Sequence, residues 1–205
     1  VFDLDHTLVR SPLDLGRLKV EIRALVEADG LPLPEPTRTW TIGQIIEAAT
    51  QHRPALGEAC WALCTTHEED AVPHAVPEPG AREALTALRA AGYPLAVWTN
   101  NTGSIARRAL ERCDLGAFFT VRVTRDDAPL KPDPAGLRLL EAEFPERRIW
   151  VIGDSWVDGA AAQAGGAAFI AYGADPAELA RRGVAPRTVL RDLRQLPEWL
   201  RTAAW

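Results

Sequence analysis

Val1-Phe2-Asp3-Leu4-Asp5-His6-Thr7-Leu8 is the stretch on which the reading of the whole chain turns. Apolar residues lead into Asp3 and Asp5, two positions apart. In a continuing strand both carboxylates face one side, and a turn there aims both toward the strand's carboxyl end. Carboxylates so placed repel each other, and a metal ion or phosphate chemistry beside them would account for keeping both. The alternative is that they cap the next segment or close an Asx-turn. The chain starts at Val1 and contains no Met. The first strand is therefore expected to have further residues upstream, and a targeting segment there stays open.

Working outward, residues 11–76 read as helical. Leu15, Leu18, Ile22, Leu25 and Val26 recur at helix spacing, and a Pro-rich break from Leu31 to Pro36 follows Gly30. Ile42, Ile45, Ile46 and Ala49 form the apolar stripe of a second helix. Pro54 opens a third, from about Ala55 to Thr66, that carries Cys60 and Cys64 on one face.

From Pro77 the pattern alternates helix and strand, as in a parallel sheet covered on both faces. Strands are expected at Pro94–Trp98, Phe118–Val123, Ile149–Ile152 and Ala167–Tyr172. Helices are expected at Gly80–Ala91, Ser104–Arg112 and Pro134–Glu143. The fold class is thus α/β, with residues 1–10 and 77–205 forming the core and residues 11–76 a helical insertion. The strand ends Asp3 to Thr7, Thr99-Asn100-Asn101 and Gly153 to Asp158 gather along one edge, where open α/β sheets bind ligands.

Besides Asp3 and Asp5, three groups carry candidate chemistry. Gly153-Asp154-Ser155-Trp156-Val157-Asp158 has two carboxylates one helical turn apart, read either as helix capping or as part of an oxygen-rich site suited to Mg²⁺. Lys131, in Ala128-Pro129-Leu130-Lys131-Pro132, is either a solvated surface lysine or a fixed point charge beside acidic groups. Thr99 and Asn100, expected at the start of a helix, can offer a hydroxyl and backbone N–H groups to a phosphate oxygen.

In order and placement these motifs resemble the haloacid dehalogenase-like superfamily, and more closely its phosphatases of the phosphoglycolate phosphatase type. Asp3-Leu4-Asp5-His6-Thr7 looks like the first motif, Thr99-Asn100 the second, Lys131-Pro132 the third and Gly153 to Asp158 the fourth. The resemblance implies a Rossmann-like three-layer core with an inserted all-helical cap over residues 11–76. It implies a Mg²⁺-dependent phosphoric monoester hydrolase in which Asp3 is the nucleophile, forming an aspartyl-phosphate, and Asp5 is the general acid and base. Thr99, Asn100 and Lys131 would bind phosphoryl oxygens. Asp3, the Asp5 backbone carbonyl and Asp154 would hold the metal, and Asp158 would orient Lys131 or a metal-bound water.

His6 departs from the pattern, which most often has glycine there. Specificity is expected in the insertion, where Arg17, Lys19, Arg38, Trp40 and Trp61, together with Arg10, are candidates that also read as ordinary surface or packing residues.

The same residues admit other readings. A dehalogenase needs neither Asp5 nor Asp154. A phosphomutase acting on a sugar phosphate would keep the same catalytic set, whereas a non-catalytic phosphate-binding regulatory protein gains little from Asp3 and Asp5. No GxxxxGK[ST] or GxGxxG occurs.

A net charge of -5 with no basic run argues against nucleic acid or an anionic membrane as partner, leaving a small phosphorylated metabolite and a possible pairing of two copies. Three cysteines without CxxC, and no apolar run of transmembrane length, fit a reducing, cytoplasmic setting.

Overall fold

Short β-branched and aromatic runs set the strands, and small or polar residues end them. The computed structural model describes residues 1–33 and 40–203. The strands are β1 (Val9–Arg10), β2 (Val76–Pro77), β3 (Ala96–Trp98), β4 (Val121–Val123), β5 (Trp150–Gly153), β6 (Ala168–Tyr172) and β7 (Thr188–Leu190). β3 pairs with β4, β5 with β6 and β6 with β7, all parallel.

The opening residues join these pieces. Phe2 N–H donates to Ala96 O at 2.9 Å and Trp98 N–H to Phe2 O at 2.8 Å, while Asp3 N–H donates to Ile152 O and Ile152 N–H to Val1 O, both at 2.8 Å. The order is therefore β4, β3, the opening segment, β5, β6, β7, with Asp3 at the centre of the carboxyl edge.

The helices are α1 (Leu15–Ala28), α2 (Ile42–His52), α3 (Pro54–Ala71), α4 (Ala81–Ala90), α5 (Gly103–Arg112), α6 (Ala135–Glu143), α7 (Trp156–Ala164), α8 (Pro176–Arg181) and α9 (Leu196–Thr202). One sheet face, including Trp98, Val123, Val151, Phe169 and Ala171, packs with Leu137 and Leu140 of α6, Ala161 and Ala162 of α7, and Leu179 of α8. The alternate residues Phe2, Val97, Ile152 and Ile170 are also buried. Burial on both faces is the mark of a three-layer α/β core.

The chain divides into two compact units, one of Val1–Ser11 with His74–Trp205 and one of Pro12–Pro73. Among its described residues the second unit is all-helical, with its own core of Leu18, Ile22, Val26, Ile45, Ile46, Ala49, Leu56, Cys60 and Cys64. Thr41 and Gln44 close a reciprocal capping box at the start of α2, with Gln44 N–H on Thr41 Oγ1 at 3.1 Å and Thr41 N–H on Gln44 Oε1 at 2.8 Å. Among the described residues, no helix is long and apolar enough to cross a membrane.

Local differences from the sequence reading have physical causes. Val76, read with the helical stretch, lies in β2, where Val9 pairs with Pro77 and Arg10 with Val76. Two-residue strands show no period-2 pattern. The expected strand from Phe118 begins only at Val121, because Gly116–Phe118 form a 3₁₀ turn in which Phe118 N–H donates to Leu115 O at 3.1 Å. α3 runs on to Ala71, past the expected end at Thr66.

Candidate active site

The site is built from strand ends. After Asp3 the chain leaves the sheet in a tight loop. His6 N–H donates to Val9 O at 2.7 Å, and the Leu8 and Val9 N–H groups both donate to Leu4 O at 2.9 Å. Within that loop His6 adopts φ 56. That left-handed conformation costs an L residue roughly 1–2 kcal/mol and glycine nothing, which is the backbone reason glycine suits this position.

Lys131 Nζ is the hub. It donates to Asp3 Oδ1 at 2.6 Å, to Asp158 Oδ1 at 2.5 Å and to the Trp98 carbonyl at 2.8 Å, so all three donors have acceptors. Its side chain is 2% exposed. Burial pulls the ammonium's pKa down, but Asp158 and Asp3 more than offset this and the net shift is upward. A buried cation bonded to the Asp3 carboxylate neutralises charge where a phosphate would approach.

Asp158, 1% exposed, is held at both oxygens, since Oδ2 accepts from Ser155 Oγ at 2.7 Å and Ser155 N–H at 3.2 Å. Gly153 lies against it. A Cβ there would come within 2.5 Å of Asp158 Cγ, so only glycine lets the carboxylate pack on the strand end.

Asn100 lies in the loop ahead of α5, not at the helix start expected from the sequence. Thr102 caps that helix, its Oγ1 accepting from Ile105 N–H. The Asn100 side chain clamps the Lys131 peptide. Its Nδ2 donates to Lys131 O at 3.2 Å, and its Oδ1 accepts from Lys131 N–H at 2.8 Å. Asn100's own N–H has no hydrogen-bond partner among the described residues. Thr99, 3% exposed, follows β3 and its Oγ1 accepts from Asn101 N–H at 3.2 Å.

Asp5 does not join the carboxylate cluster through its side chain; its Oδ2 accepts from Asn101 Nδ2 at 2.6 Å. Burial raises the Asp5 pKa, with the Asn101 hydrogen bond and the charges of His6 and Lys131 acting the other way. A raised carboxyl is what a proton donor requires. The sequence places Asn101 at the ligand edge within Thr99-Asn100-Asn101, but nothing local assigns its amide to Asp5. The Trp98 carbonyl on Lys131 is a backbone group that no sequence pattern marks.

Oxygens of Asp3, Asp154 and Asp158 lie within 4.8 Å of one another. Asp158 is engaged by Lys131 and Ser155, which leaves Asp3 and Asp154 for a cation. Burial, followed for Asp154 by the charges of Asp3 and Asp158, pushes the Asp3 carboxyl up to about 7 and the Asp154 carboxyl up to about 8. No hydrogen bond to the Asp5 carbonyl is found among the described residues. Surplus negative charge on oxygen donors fits a hard divalent ion such as Mg²⁺.

In the helical unit, Arg17 Nε pairs with Glu21 Oε1 at 2.7 Å, and Trp40 and Trp61 pack against its core. Arg38 lies outside the described residues.

The profile of the haloacid dehalogenase-like hydrolases matches residues 1–172. A phosphoglycolate phosphatase of Cereibacter sphaeroides is 33% identical over 185 residues, covering 84% of this chain and 83% of the relative. One of Chromobacterium violaceum is 32% identical over 188 residues, with the same coverage. The crystal structure of a hydrolase from Pseudomonas syringae superposes with a TM-score of 0.74 at 23% identity, covering 99% of this chain and 98% of that one. With the strand-end carboxylates and buried lysine already in place, these likenesses have one meaning: the chain belongs to the haloacid dehalogenase-like hydrolases.

Proposed function

We propose that the protein is a phosphatase that hydrolyses a small phosphate monoester through an aspartyl-phosphate on Asp3. The observation that carries this reading is the buried Asp3 carboxylate bonded to Lys131 Nζ at 2.6 Å. Asp3 attacks phosphorus as the P–O bond to the leaving group breaks, and Asp5 protonates the departing oxygen. Water then attacks the phosphorus of the aspartyl-phosphate, giving a proton to Asp5, and Asp3 is regenerated. Thr99 Oγ1, the Asn100 N–H and Lys131 supply positive or donor groups to the phosphoryl oxygens.

The carboxylates of Asp3 and Asp154, with the Asp5 carbonyl, would hold Mg²⁺, which when bound offsets negative charge on the phosphoryl group. Phosphoglycolate is the favoured substrate, because relatives at 32–33% identity carry that activity in their names. The helical unit is assigned the cap's part in specificity by family likeness. Three buried cysteines in the thiol form, Cys60, Cys64 and Cys113, favour a cytoplasmic setting.

Phosphate release from phosphoglycolate and from p-nitrophenyl phosphate, with and without Mg²⁺, tests the reading. We expect metal-dependent release that Asp3→Asn abolishes. Turnover surviving that substitution rules out the covalent route.

A further inference from the structure

Asp5 is held differently from the other carboxylates of the site. Lys131 has no donor left for it, and its only side-chain hydrogen-bond partner among the described residues is the neutral amide of Asn101. Asn101 is itself 7% exposed and fixed on both sides. Its N–H donates to Thr99 Oγ1 at 3.2 Å, and its carbonyl accepts from Arg125 N–H at 3.0 Å. The amide is therefore aimed by a backbone that the strand ends pin down.

We propose that Asn101 is a positioning residue for Asp5, binding Oδ2 so that Oδ1 is the oxygen that gives and recovers the proton. This rests on the phosphatase reading. A protonated carboxyl has one hydroxyl and one carbonyl oxygen, and the carbonyl oxygen is the better acceptor of an amide N–H. The bond from Asn101 Nδ2 to Oδ2 therefore favours the proton on Oδ1.

In the first displacement a bond forms between Asp3 and phosphorus and the P–O bond to the leaving group breaks. The electron pair stays on the leaving oxygen, which takes the proton from Oδ1. In the second, water attacks phosphorus, its proton goes to Oδ1, and the bond to Asp3 breaks.

The test separates substrates by how much acid help they need. A nitrophenolate leaves unaided, whereas the alkoxide of an alkyl phosphate needs a proton. With Mg²⁺ present, wild-type phosphate release from both esters establishes the underlying reading independently. In Asn101→Ala, kcat/KM for the alkyl ester is expected to fall ~10²-fold, with the aryl ester losing no more than ~10-fold.

Asn101→Ser, which keeps a small polar side chain in place, is expected to show the same selectivity. In an Asp5→Asn background, Asn101→Ala is expected to add nothing to the alkyl loss, because the two act as a unit. Equal losses on both esters in both variants, or additive losses in the Asp5→Asn background, would overturn the assignment.

Discussion

Replacing Lys131 by Met removes the cation that bridges Asp3 Oδ1 and Asp158 Oδ1, at 2.6 and 2.5 Å. Both carboxylates would stay buried without a counter-charge, and breaking such a pair from one side costs about 3–5 kcal/mol. Lys131→Met is therefore expected to lose phosphatase turnover and to lower the urea midpoint by a corresponding amount; an unchanged midpoint would show that the carboxylates find other compensation. His6 belongs to the same scale. Its left-handed φ of 56 explains how a residue other than glycine is held in the opening loop, and histidine is among the side chains that tolerate this region best.

The elements divide the work between two cores. α1, α2 and α3 enclose Ile46, 1% exposed, together with Leu18, Ile22 and Cys60. Truncating Ile46 to Ala leaves a cavity costing about 2–5 kcal/mol. Because this core is separate from that of the sheet, the loss is expected to fall on the helical unit. Hydrogen exchange should show α1–α3 amides speeding up while β5 and β6 stay protected; uniform acceleration would mean that the two units unfold together.

For the whole molecule, the carboxylate cluster is expected to link stability to pH and to a bound cation. Asp3 and Asp154 are pushed up from near 3.8 to about 7 and about 8. Between those values the metal-free folded state keeps protons that the unfolded chain has released, so stability falls as pH rises through the window. A cation that requires the deprotonated oxygens acts in the opposite direction. Calorimetry without metal is expected to show Tm decreasing from about pH 5 to about pH 8, by ~2–4 °C per kcal/mol for a chain of this size. Added Mg²⁺ should raise Tm most at the upper end. A metal-free Tm that climbed over the same range would contradict the uncompensated cluster.

The alternation of strand and helix after Pro77, and the acids at the ends of the opening strand and β5, were legible in the sequence because period and strand-end polarity are local properties. The same holds for the helical stripes of α1 and α2 and the break around Gly30. Pairings two residues long, such as Val9 with Pro77, were not legible, since nothing local marks them.

The division is sharpest in the site. Asp3, Lys131, Asp154 and Asp158 stand in the chain as separate signals, and only the parallel order of the sheet brings the carboxyl ends of the opening segment and β5 together. Asn100 and Asn101 are chemically identical neighbours. The backbone after β3 turns one side chain onto the Lys131 peptide and the other onto Asp5. Residue chemistry and spacing by themselves determined which side chains are available at the edge. Which acid meets the lysine and which meets an amide was decided by tertiary structure alone, because hydrogen-bond partners more than 90 residues apart are chosen by the geometry of the sheet.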